Sequence, residues 1–496
     1  MSLRLTRRRF LISAGFAAAA GGLGGCISTN KATGRSSFTG VYSVEDDIRL
    51  GRQEHPKMLA AFGGEYDSRL LKRYVERVGS QLAVSTEYQQ FPYRFTVLNS
   101  PIVNAFALPG GYVYISRGLI ALAGNEAEMA GVLAHELGHV NARHTAERMS
   151  ASSLAQIGVL AGAIGAAALG LPGELAQAGQ QVAVASIQSY SRKQEFEADM
   201  LGVRYMSKAG YDPVGMVSFL ITLREQSMVE ARSMGLPAGT VDEFNMMSTH
   251  PRTVDRVQEA TAAAEVQRPA QPILGRQEYL ANIDGMMFGD DPSQGVVIGR
   301  RFVHPGMRFE FQVPAGFRVR NEPDQILAQG ADRSAVVFDL GVARTGDMTQ
   351  YLQRDWAGQI QLQDVQAISV NDMTGATGWT TIENGGRRFI VRLVAIRRDA
   401  RSAYRLQFVA LSDRYQALKD EFRATTYSVK ALSADQAAKV RPLRLRVIRA
   451  TGNEDVSALS ANLPYGAFND DWFRVLNDLP QGRQPVANQP LKLIET

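Results

Sequence analysis

Residues 125–144 read NEAEMAGVLAHELGHVNARH and contain a helix with its own start signal. Asn125 is a favoured N-cap residue, and Glu128 stands three positions later, where its side chain can reach back to the cap. Apolar residues recur at helical spacing after the cap: Met129, Val132 and Leu133. The stretch is therefore predicted to be a capped helix that buries one face in a hydrophobic core.

The same helix carries His135 and His139, four residues apart. A helix advances about 100° per residue, so both side chains project from one face with Cβ atoms about 6 Å apart. Both imidazoles can then reach a single zinc ion at ~2.0–2.1 Å. Glu136 lies beside them, where its carboxylate can take a proton from zinc-activated water and pass it to a leaving amine. This pattern on a helix indicates one zinc ion per chain and hydrolysis of peptide bonds.

Two histidines leave a catalytic zinc site one protein ligand short. Glu195 and Asp199 stand at positions i and i+4, on one face of a second predicted helix. We expect Glu195 to bind zinc and Asp199 to orient a ligand histidine through its second nitrogen. Glu197 is the competing ligand. His144 lies five residues beyond His139, roughly 140° further around a helix, and is not expected to share the ion.

Composition limits the classes of partner. The 496 residues are too many for one hydrophobic core. Four arginines lie among residues 1–25, which contain no acid; outside them, 50 basic side chains face 49 acidic ones. This balance gives no phosphate-binding field, so nucleic acid is not expected as a partner. Cys26 is the only cysteine, so a zinc site must be built from histidine and carboxylate.

The N-terminal residues are predicted to be an export signal. Arg7, Arg8 and Arg9 precede a moderately apolar run, which resembles a twin-arginine signal, with an ordinary secretory signal as the alternative. The run ends in Leu-Gly-Gly before Cys26, and this resembles a lipoprotein signal in which the cysteine carries the lipid. A cleaved signal with an incidental cysteine is the alternative. We expect a lipid-anchored protein on the periplasmic face of the cell envelope, and Ile27 favours the outer over the inner membrane.

The pattern along the chain predicts a multidomain α+β protein. A mainly helical part contains one strand-like region at 93–116 with a turn at 109–111, and short alternating runs dominate after residue 299. The predicted segments are an export signal (1–25), a flexible tether (26–43), a zinc metallopeptidase domain (44–265), a linker (266–298), a small α+β domain (299–432) and a βααβ module (433–496).

The last segment resembles a LysM module, a glycan-binding unit. Its predicted order is strand 443–449, helix 456–463, helix 470–477 and strand 490–494. The Gly-Asp-Thr expected after the first strand is present only as Gly-Asn-Glu-Asp at 452–455. Peptidoglycan binding and a structural or protein-binding role both remain open for this module.

Three motifs together resemble one family of zinc peptidases. HELGHVNARH (135–144), YSRKQEFEAD (190–199) and STHP (248–251) are similar to the family that includes HtpX, the CAAX prenyl proteases and the periplasmic BepA (YfgC) branch. The resemblance covers residues 44–262 and implies a zincin-like, gluzincin fold. It also implies particular roles: zinc ligands His135, His139 and Glu195, general base Glu136, and ligand support from Asp199.

The same resemblance bears on substrate and regulation. Asn104, Ala105 and Phe106 match the edge strand along which the family holds the substrate backbone. His250 matches a histidine over the active site, where it either stabilises the oxyanion or occupies the fourth zinc position as a latch. The expected function is an envelope endopeptidase that acts on unfolded or misassembled proteins. The alternative is a peptidoglycan-associated binding or assembly-chaperone lipoprotein with a latched zinc site.

Overall fold

The computed structural model describes residues 28–37, 42–149, 190–233, 235, 254–330 and 332–496. The first half of the chain is mainly helical. Its helices are α1 (Val44–Ala61), α2 (Arg69–Ala83), α3 (Arg117–Leu122), α4 (Glu126–Ala142), α5 (Arg192–Lys208), α6 (Val214–Ser233), α7 (Val254–Val266) and α8 (Arg276–Ile283). None of the helices in these ranges is long and apolar enough to cross a membrane.

A three-stranded sheet lies beside the helices. Its strands are β3 (Arg94–Leu98), β4 (Ala105–Leu108) and β5 (Tyr112–Ser116). The central strand, β5, runs parallel to β3 and antiparallel to β4, so β4 forms one edge of the sheet. The predicted strand region and its turn before β5 are confirmed.

Helix α4 lies at the centre of the helical part, and every one of its residues is buried. As predicted, the Asn125 side chain accepts from the backbone N–H of Glu128 at 3.0 Å, and Nδ2 of Asn125 donates to the Glu128 carboxylate at 2.9 Å. Two glycines let neighbouring helices come close. A Cβ on Gly131 would stand 2.8 Å from Cα of Met216 in α6, and one on Gly138 would stand 2.7 Å from the carbonyl oxygen of Ala198 in α5.

Residues 28–37 differ from the expected flexible tether. They form a hairpin of β1 (Ser28–Thr29) and β2 (Ser36–Ser37) that contacts α4 and α5. Polar, small residues predict flexibility when they have no partners. Here Asn30 is buried, and its side chain donates to a backbone carbonyl at the end of α4 at 2.9 Å.

Residues 266–298 were expected to be a linker, and the structure corrects this. They contain α8, β6 (Met287–Phe288) and β7 (Val296–Ile298). Tyr279, Leu280 and Ile283 of α8 are buried in the same core as the peptidase helices. The Pro and Gly residues on either side suggested a connector, but these three apolar residues on one helix face need a buried surface.

The next part is rich in strands, as predicted. After β7 come β8 (Arg301–His304), β9 (Phe309–Gln312), β10 (Arg318–Asn321), β11 (Gln325–Gln329), β12 (Ala335–Val342), β13 (Gln363–Val370), β14 (Met373–Asn384), β15 (Arg387–Arg397), β16 (Ser402–Leu411) and β17 (Lys430–Ala431). A seven-stranded antiparallel sheet has the order β10-β11-β12-β16-β15-β14-β13, and a smaller sheet has the order β17-β9-β8-β7. Helix α9 (Met348–Gln350), continued by a π-helical turn (Tyr351–Trp356), and α10 (Tyr415–Tyr427) pack on the large sheet.

The C-terminal part has the predicted order of strand, helix, helix and strand. After the short α11 (Ala434–Ala438) come β18 (Leu443–Arg449), α12 (Val456–Ser460), α13 (Asn469–Leu476) and β19 (Pro490–Glu495). β18 pairs with β19 and also with β6. This unit was expected to be a separate module, but its apolar residues, among them Phe473 and Leu491, belong to the same core as α4. The predicted α+β class, with a helical first half and a sheet-rich second half, is confirmed.

Candidate metal centre

Helix α4 presents the histidines of the motif to the protein interior. His135 and His139 are buried, and Glu136 between them is completely buried. The helix ends at Arg143, which adopts a left-handed conformation with φ of 57°. The Arg143 guanidinium donates to the carboxylate of Asp47 at 2.6 Å. This buried ion pair joins the end of α4 to the first turn of α1.

Helix α5 brings the acidic motif to the same place. The Ser191 side chain caps its first turn in a capping box with Gln194. Glu195 follows within that first turn, and both Glu195 and Asp199 are buried on the side that faces α4. Because Gly138 lies against the α5 backbone, the two helices are close enough for their side chains to meet.

Three donor atoms converge between these helices. His135, His139 and Glu195 each place one ligand atom within 4.8 Å of the others. The two Nε2 atoms are 3.1 Å apart, and the Glu195 oxygens lie 3.6 Å from Nε2 of His135 and 3.4 Å from Nε2 of His139. Donors bonded at ~2.0–2.1 Å to one tetrahedral zinc ion would stand about 3.3 Å apart. The donor set and its spacing therefore fit a zinc ion.

Asp199 contacts the far nitrogen of one of these imidazoles. Its Oδ1 lies 2.9 Å from Nδ1 of His135, as the sequence predicts for a residue that orients this ring. Burial raises the pKa of the Asp199 carboxyl, but hydrogen bonds and charge from His135 and Arg256 outweigh it and hold the pKa below its ordinary value. Ionised Asp199 favours the tautomer in which Nε2 of His135 carries the lone pair toward the donor cluster.

Arg256, on α7, completes the site and was not predicted. Its Nε and Nη2 donate to Asp199 at 2.8 and 2.9 Å, and its Nη1 lies 2.8 Å from Oε2 of Glu195. The guanidinium is buried. Two carboxylates buried on one helix face require a nearby cation, so their spacing indicates that a basic residue lies beside them. Nothing in the sequence around Arg256 distinguishes it from other arginines on helices.

His144 lies closer to the centre than the sequence suggested. Its Nδ1 is 2.9 Å from Nδ1 of His139, on the side of that ring away from the donor cluster. As expected, His144 does not join the donor cluster. Its contact with the far side of the His139 ring was not predicted, because the left-handed Arg143 ends the helix before it. Glu197, the competing ligand, does not join the donor cluster; its Oε2 lies 3.0 Å from Nε2 of His144.

An aromatic ring covers His139. Tyr190 stacks on it with ring centroids 3.8 Å apart, and the Tyr190 hydroxyl lies 3.2 Å from that of Thr145. Burial lowers the pKa of His139 well below its ordinary value. A low pKa favours the neutral imidazole, which is the form that binds metal.

The edge strand β4 borders the site. Ala107 and Leu108 line a small cleft together with His139 and Tyr190. The three residues predicted to hold substrate lie just before these two: Asn104, Ala105 and Phe106. Ala105 is buried, and the Phe106 ring stacks on Tyr114 with centroids 4.7 Å apart. Cys26 and His250, also predicted to be functional, lie outside the described residues.

One part of the chain, which includes the donor cluster, matches a known protein family. Residues 69–264 match the sequence model of Peptidase family M48. These residues are an M48 peptidase domain. The match includes both helices of the donor cluster and α7 with Arg256. The predicted family is therefore confirmed, as is a metallopeptidase at the level of this domain.

The chain is also similar to curated proteins. A beta-barrel assembly-enhancing protease of Yersinia pestis is 32% identical over 271 residues, which cover 52% of this chain and 52% of that protein. The mitochondrial metalloendopeptidase OMA1 of Schizosaccharomyces pombe is 29% identical over 243 residues, covering 47% of this chain and 66% of that protein. The chain spans about half the length of the first of these relatives.

Among solved structures, cyanobacterial PsbP (CyanoP) from Synechocystis sp. PCC 6803 aligns with 26% of this chain and 91% of its own. The sequence identity is 13% and the TM-score is 0.21.

Proposed function

We propose that this chain is a zinc-dependent endopeptidase of the bacterial cell envelope that hydrolyses peptide bonds of unfolded or misassembled proteins. The observation that carries the proposal is the convergence of His135, His139 and Glu195 within 4.8 Å of one another inside an M48 domain. When bound by these three residues, zinc supplies Lewis acidity that polarises a peptide carbonyl and acidifies water.

The remaining residues have distinct roles in this proposal. Glu136 takes the proton of the attacking water and returns it to the amine nitrogen that leaves. Asp199 holds the ring of His135, and Arg256 holds both acidic side chains of α5. His250 either stabilises the oxyanion or acts as a latch, and both roles remain open.

The edge position of β4 suggests how a substrate is held. An extended peptide can add to the exposed edge of a sheet through backbone hydrogen bonds, and such binding depends little on side chains. β4 ends with Ala107 and Leu108, which lie beside His139 in the cleft. A peptide paired with this strand would pass the donor cluster. This mode suits a protease that recognises extended, unfolded segments rather than one sequence.

The proposed location rests on the N-terminal residues. A signal of the twin-arginine type followed by Cys26 favours export and a lipid anchor on the periplasmic face, with the outer membrane preferred. Similarity to a protease named for beta-barrel assembly supports an envelope protein. Protein or peptide substrates and the lipid surface are the expected partners, and nucleic acid is not.

The second candidate function is a peptidoglycan-associated or assembly-chaperone lipoprotein whose zinc site is latched. The observation that favours it is the βααβ order of the C-terminal part. Its helices and strands, however, share a core with α4, which favours a role in holding the peptidase domain together. Pull-down of the full chain on purified peptidoglycan separates the two functions.

The deciding experiment measures zinc content and casein hydrolysis on the same protein. We expect about one zinc per chain in wild type and in Glu136→Gln, with casein hydrolysis reduced at least a hundredfold in the variant. His139→Ala should lose both zinc and activity. Glu265→Gln, the same chemical change at an exposed site on α7, is the matched control and should keep both. Normal casein hydrolysis by zinc-loaded Glu136→Gln would refute the mechanism.

A further inference from the structure

The imidazole of His139 is contacted at both of its nitrogens. Nε2 faces the donor cluster, 3.1 Å from Nε2 of His135 and 3.4 Å from Oε1 of Glu195. Nδ1 lies 2.9 Å from Nδ1 of His144, which is completely buried. Nε2 of His144 in turn lies 3.0 Å from Oε2 of Glu197. The ring of His139 is thus the first member of a chain of polar contacts that leads away from the metal centre.

The chain ends in the N-terminal hairpin. Nη2 of Arg35 donates to Oε2 of Glu197 at 2.7 Å. The hairpin is held at two further points: Nδ2 of Asn30 donates to a backbone carbonyl of α4 at 2.9 Å, and the carbonyl oxygen of Ala32 accepts from Arg204 of α5 at 3.1 Å. Its position over these two helices is therefore fixed independently of Arg35.

The proton positions along this chain are consistent from end to end. With Nε2 of His139 directed at a metal ion, its proton must be on Nδ1. Nδ1 of His144 is then the acceptor, so its proton is on Nε2 and points at the Glu197 carboxylate. A carboxylate only accepts, and the Arg35 guanidinium only donates, so every contact joins one donor to one acceptor. This order of donors and acceptors fixes the tautomer and the orientation of His139.

We propose that His144, Glu197 and Arg35 are positioning residues for the metal ligand His139, and that the N-terminal hairpin is thereby a part of the metal centre. Asp199 and Arg256 do the same for His135 and Glu195. Each ligand histidine then has its own polar support: Asp199 and Arg256 for His135, and His144, Glu197 and Arg35 for His139. The proposal rests on the metal site proposed above.

The test measures how fast zinc leaves the full-length, zinc-loaded protein when a chelating dye is added in excess. Loss of an outer hydrogen bond to a ligand histidine lowers metal affinity about 10- to 100-fold. We expect His144→Leu to release zinc at least about tenfold faster than wild type. His144→Gln offers an acceptor toward His139 and a donor toward Glu197, so it should stay within about threefold of wild type.

Arg35 provides a second, partly exposed test position that does not depend on a core substitution. Arg35→Gln should release zinc about three- to tenfold faster, because Glu197 loses its charged partner. Lys31→Gln, an exposed change on the same hairpin, is the matched control and should leave the rate unchanged. The thermal midpoint of each zinc-free variant shows whether folding itself has changed.

The outcomes separate this proposal from the proposed function. Wild-type protein that purifies without bound zinc refutes the metal site itself. If the wild type carries zinc, and His144→Leu and Arg35→Gln both release it at the wild-type rate, only the positioning chain is refuted. The same holds if His144→Gln releases zinc as fast as His144→Leu, since the role would then be packing rather than hydrogen bonding.

Discussion

Gly138 lies directly against Ala198: a Cβ atom on the glycine would stand 2.7 Å from the alanine carbonyl oxygen and 3.0 Å from its Cα. Real Cβ atoms essentially never come closer than 3.0 Å to another heavy atom. The backbones of α4 and α5 are therefore in contact at this point. Gly138 precedes His139, and Ala198 precedes Asp199, so this contact sets the distance between the two helices of the donor cluster.

The first prediction is that Gly138→Ala weakens the metal centre. Alanine is the better helix former, but here its methyl group meets the backbone of α5, which cannot move aside as a flexible side chain could. We expect the helices to separate, with a cost of about 1–3 kcal/mol in the free energy of unfolding and at least a tenfold loss of zinc affinity. Chemical denaturation and competition with a zinc-binding dye measure the two effects.

Gly346→Ala is the matched control for this prediction. A Cβ at Gly346 would meet no atom within 4 Å, and its backbone has no positive φ. Its zinc affinity should equal that of wild type. Unchanged zinc affinity in Gly138→Ala would mean that the contact does not set the spacing of the donors.

The second prediction concerns Arg256. In Arg256→Gln, the carboxylates of Glu195 and Asp199 lose the guanidinium that they share in the protein interior. Breaking a buried ion pair by removal of one partner costs about 3–5 kcal/mol. We therefore expect a loss of this size in the free energy of unfolding of the zinc-free protein. Added zinc should restore part of it, because the ion brings positive charge to the same carboxylates.

An exposed pair provides the comparison for Arg256. Arg300 and Glu421 are both about half exposed and lie 3.3 Å apart. Exposed pairs contribute about 0–1 kcal/mol, so Arg300→Gln should have little effect. If both substitutions destabilised the protein equally, the buried ion pairs of Arg256 would contribute no more to stability than an exposed pair.

The third prediction concerns Lys492 in β19, which is buried. Its Nζ donates to the backbone carbonyls of Ala121, Leu122 and Ala123 at 2.7, 3.1 and 2.9 Å. Ala121 and Leu122 are the last residues of α3, where the final carbonyls of a helix have no partner within it. Lys492→Met leaves these oxygens unsatisfied and should lower the free energy of unfolding by about 2–4 kcal/mol. Lys439→Met, at an exposed position, should not.

Lys492 should also make stability depend on pH. Burial lowers its pKa to about 7, with Glu128 and Asp478 opposing the shift and Arg276 adding to it. The unfolded chain keeps a lysine pKa near 10.4, so between pH 7 and 10 the unfolded state binds more protons than the folded one. Stability should then rise with pH, by about 2 kcal/mol between pH 7 and 9 relative to Lys492→Met. If the stability of wild type and of Lys492→Met changed with pH in the same way, the lowered pKa of Lys492 would be contradicted.

Local signals made the first part of the metal centre predictable. The cap at Asn125, the spacing of His135 and His139, and the i, i+4 spacing of Glu195 and Asp199 all lie within one or two turns of a helix. Such patterns are preserved whatever the rest of the chain does. The convergence of the two motifs needed the family resemblance, because periodicity does not reveal which helices will be neighbours.

The rest of the centre depends on contacts between distant residues. Arg256 meets Asp199 across 57 positions, and Arg35 meets Glu197 across 162. The contact between His144 and His139 was not predicted, because a single left-handed residue, Arg143, ends the helix before His144. The shared core of α4 and the C-terminal unit was also missed, since an apolar face indicates burial without naming its partner.

The fourth prediction compares two adjacent aspartates, Asp290 and Asp291, whose pKa values are shifted in opposite directions. Burial raises the pKa of Asp290 to about 6, although the backbone N–H of Val297 donates to it at 2.9 Å. Asp291 has the opposite shift: Asn99, the Ser293 backbone and other donors outweigh burial and lower its pKa. At pH 7, replacement by asparagine should therefore stabilise the protein at Asp290 and destabilise it at Asp291.

For Asp290 the folded pKa exceeds the unfolded one, so its favourable contribution is complete below about pH 4 and is lost as the pH rises through about 6. Asp290→Asn should raise the free energy of unfolding at pH 7 by about 1–2 kcal/mol and leave it unchanged at pH 4. Asp291→Asn should lower it at pH 7, because the contribution of an acid with a lowered pKa is present above its unfolded pKa and lost in acid. Denaturation curves of both variants at pH 4 and 7 provide the measurement. The two substitutions remove the same charge from neighbouring positions, so they are matched. Stability changes of the same sign at pH 7 would show that burial does not raise the pKa of Asp290.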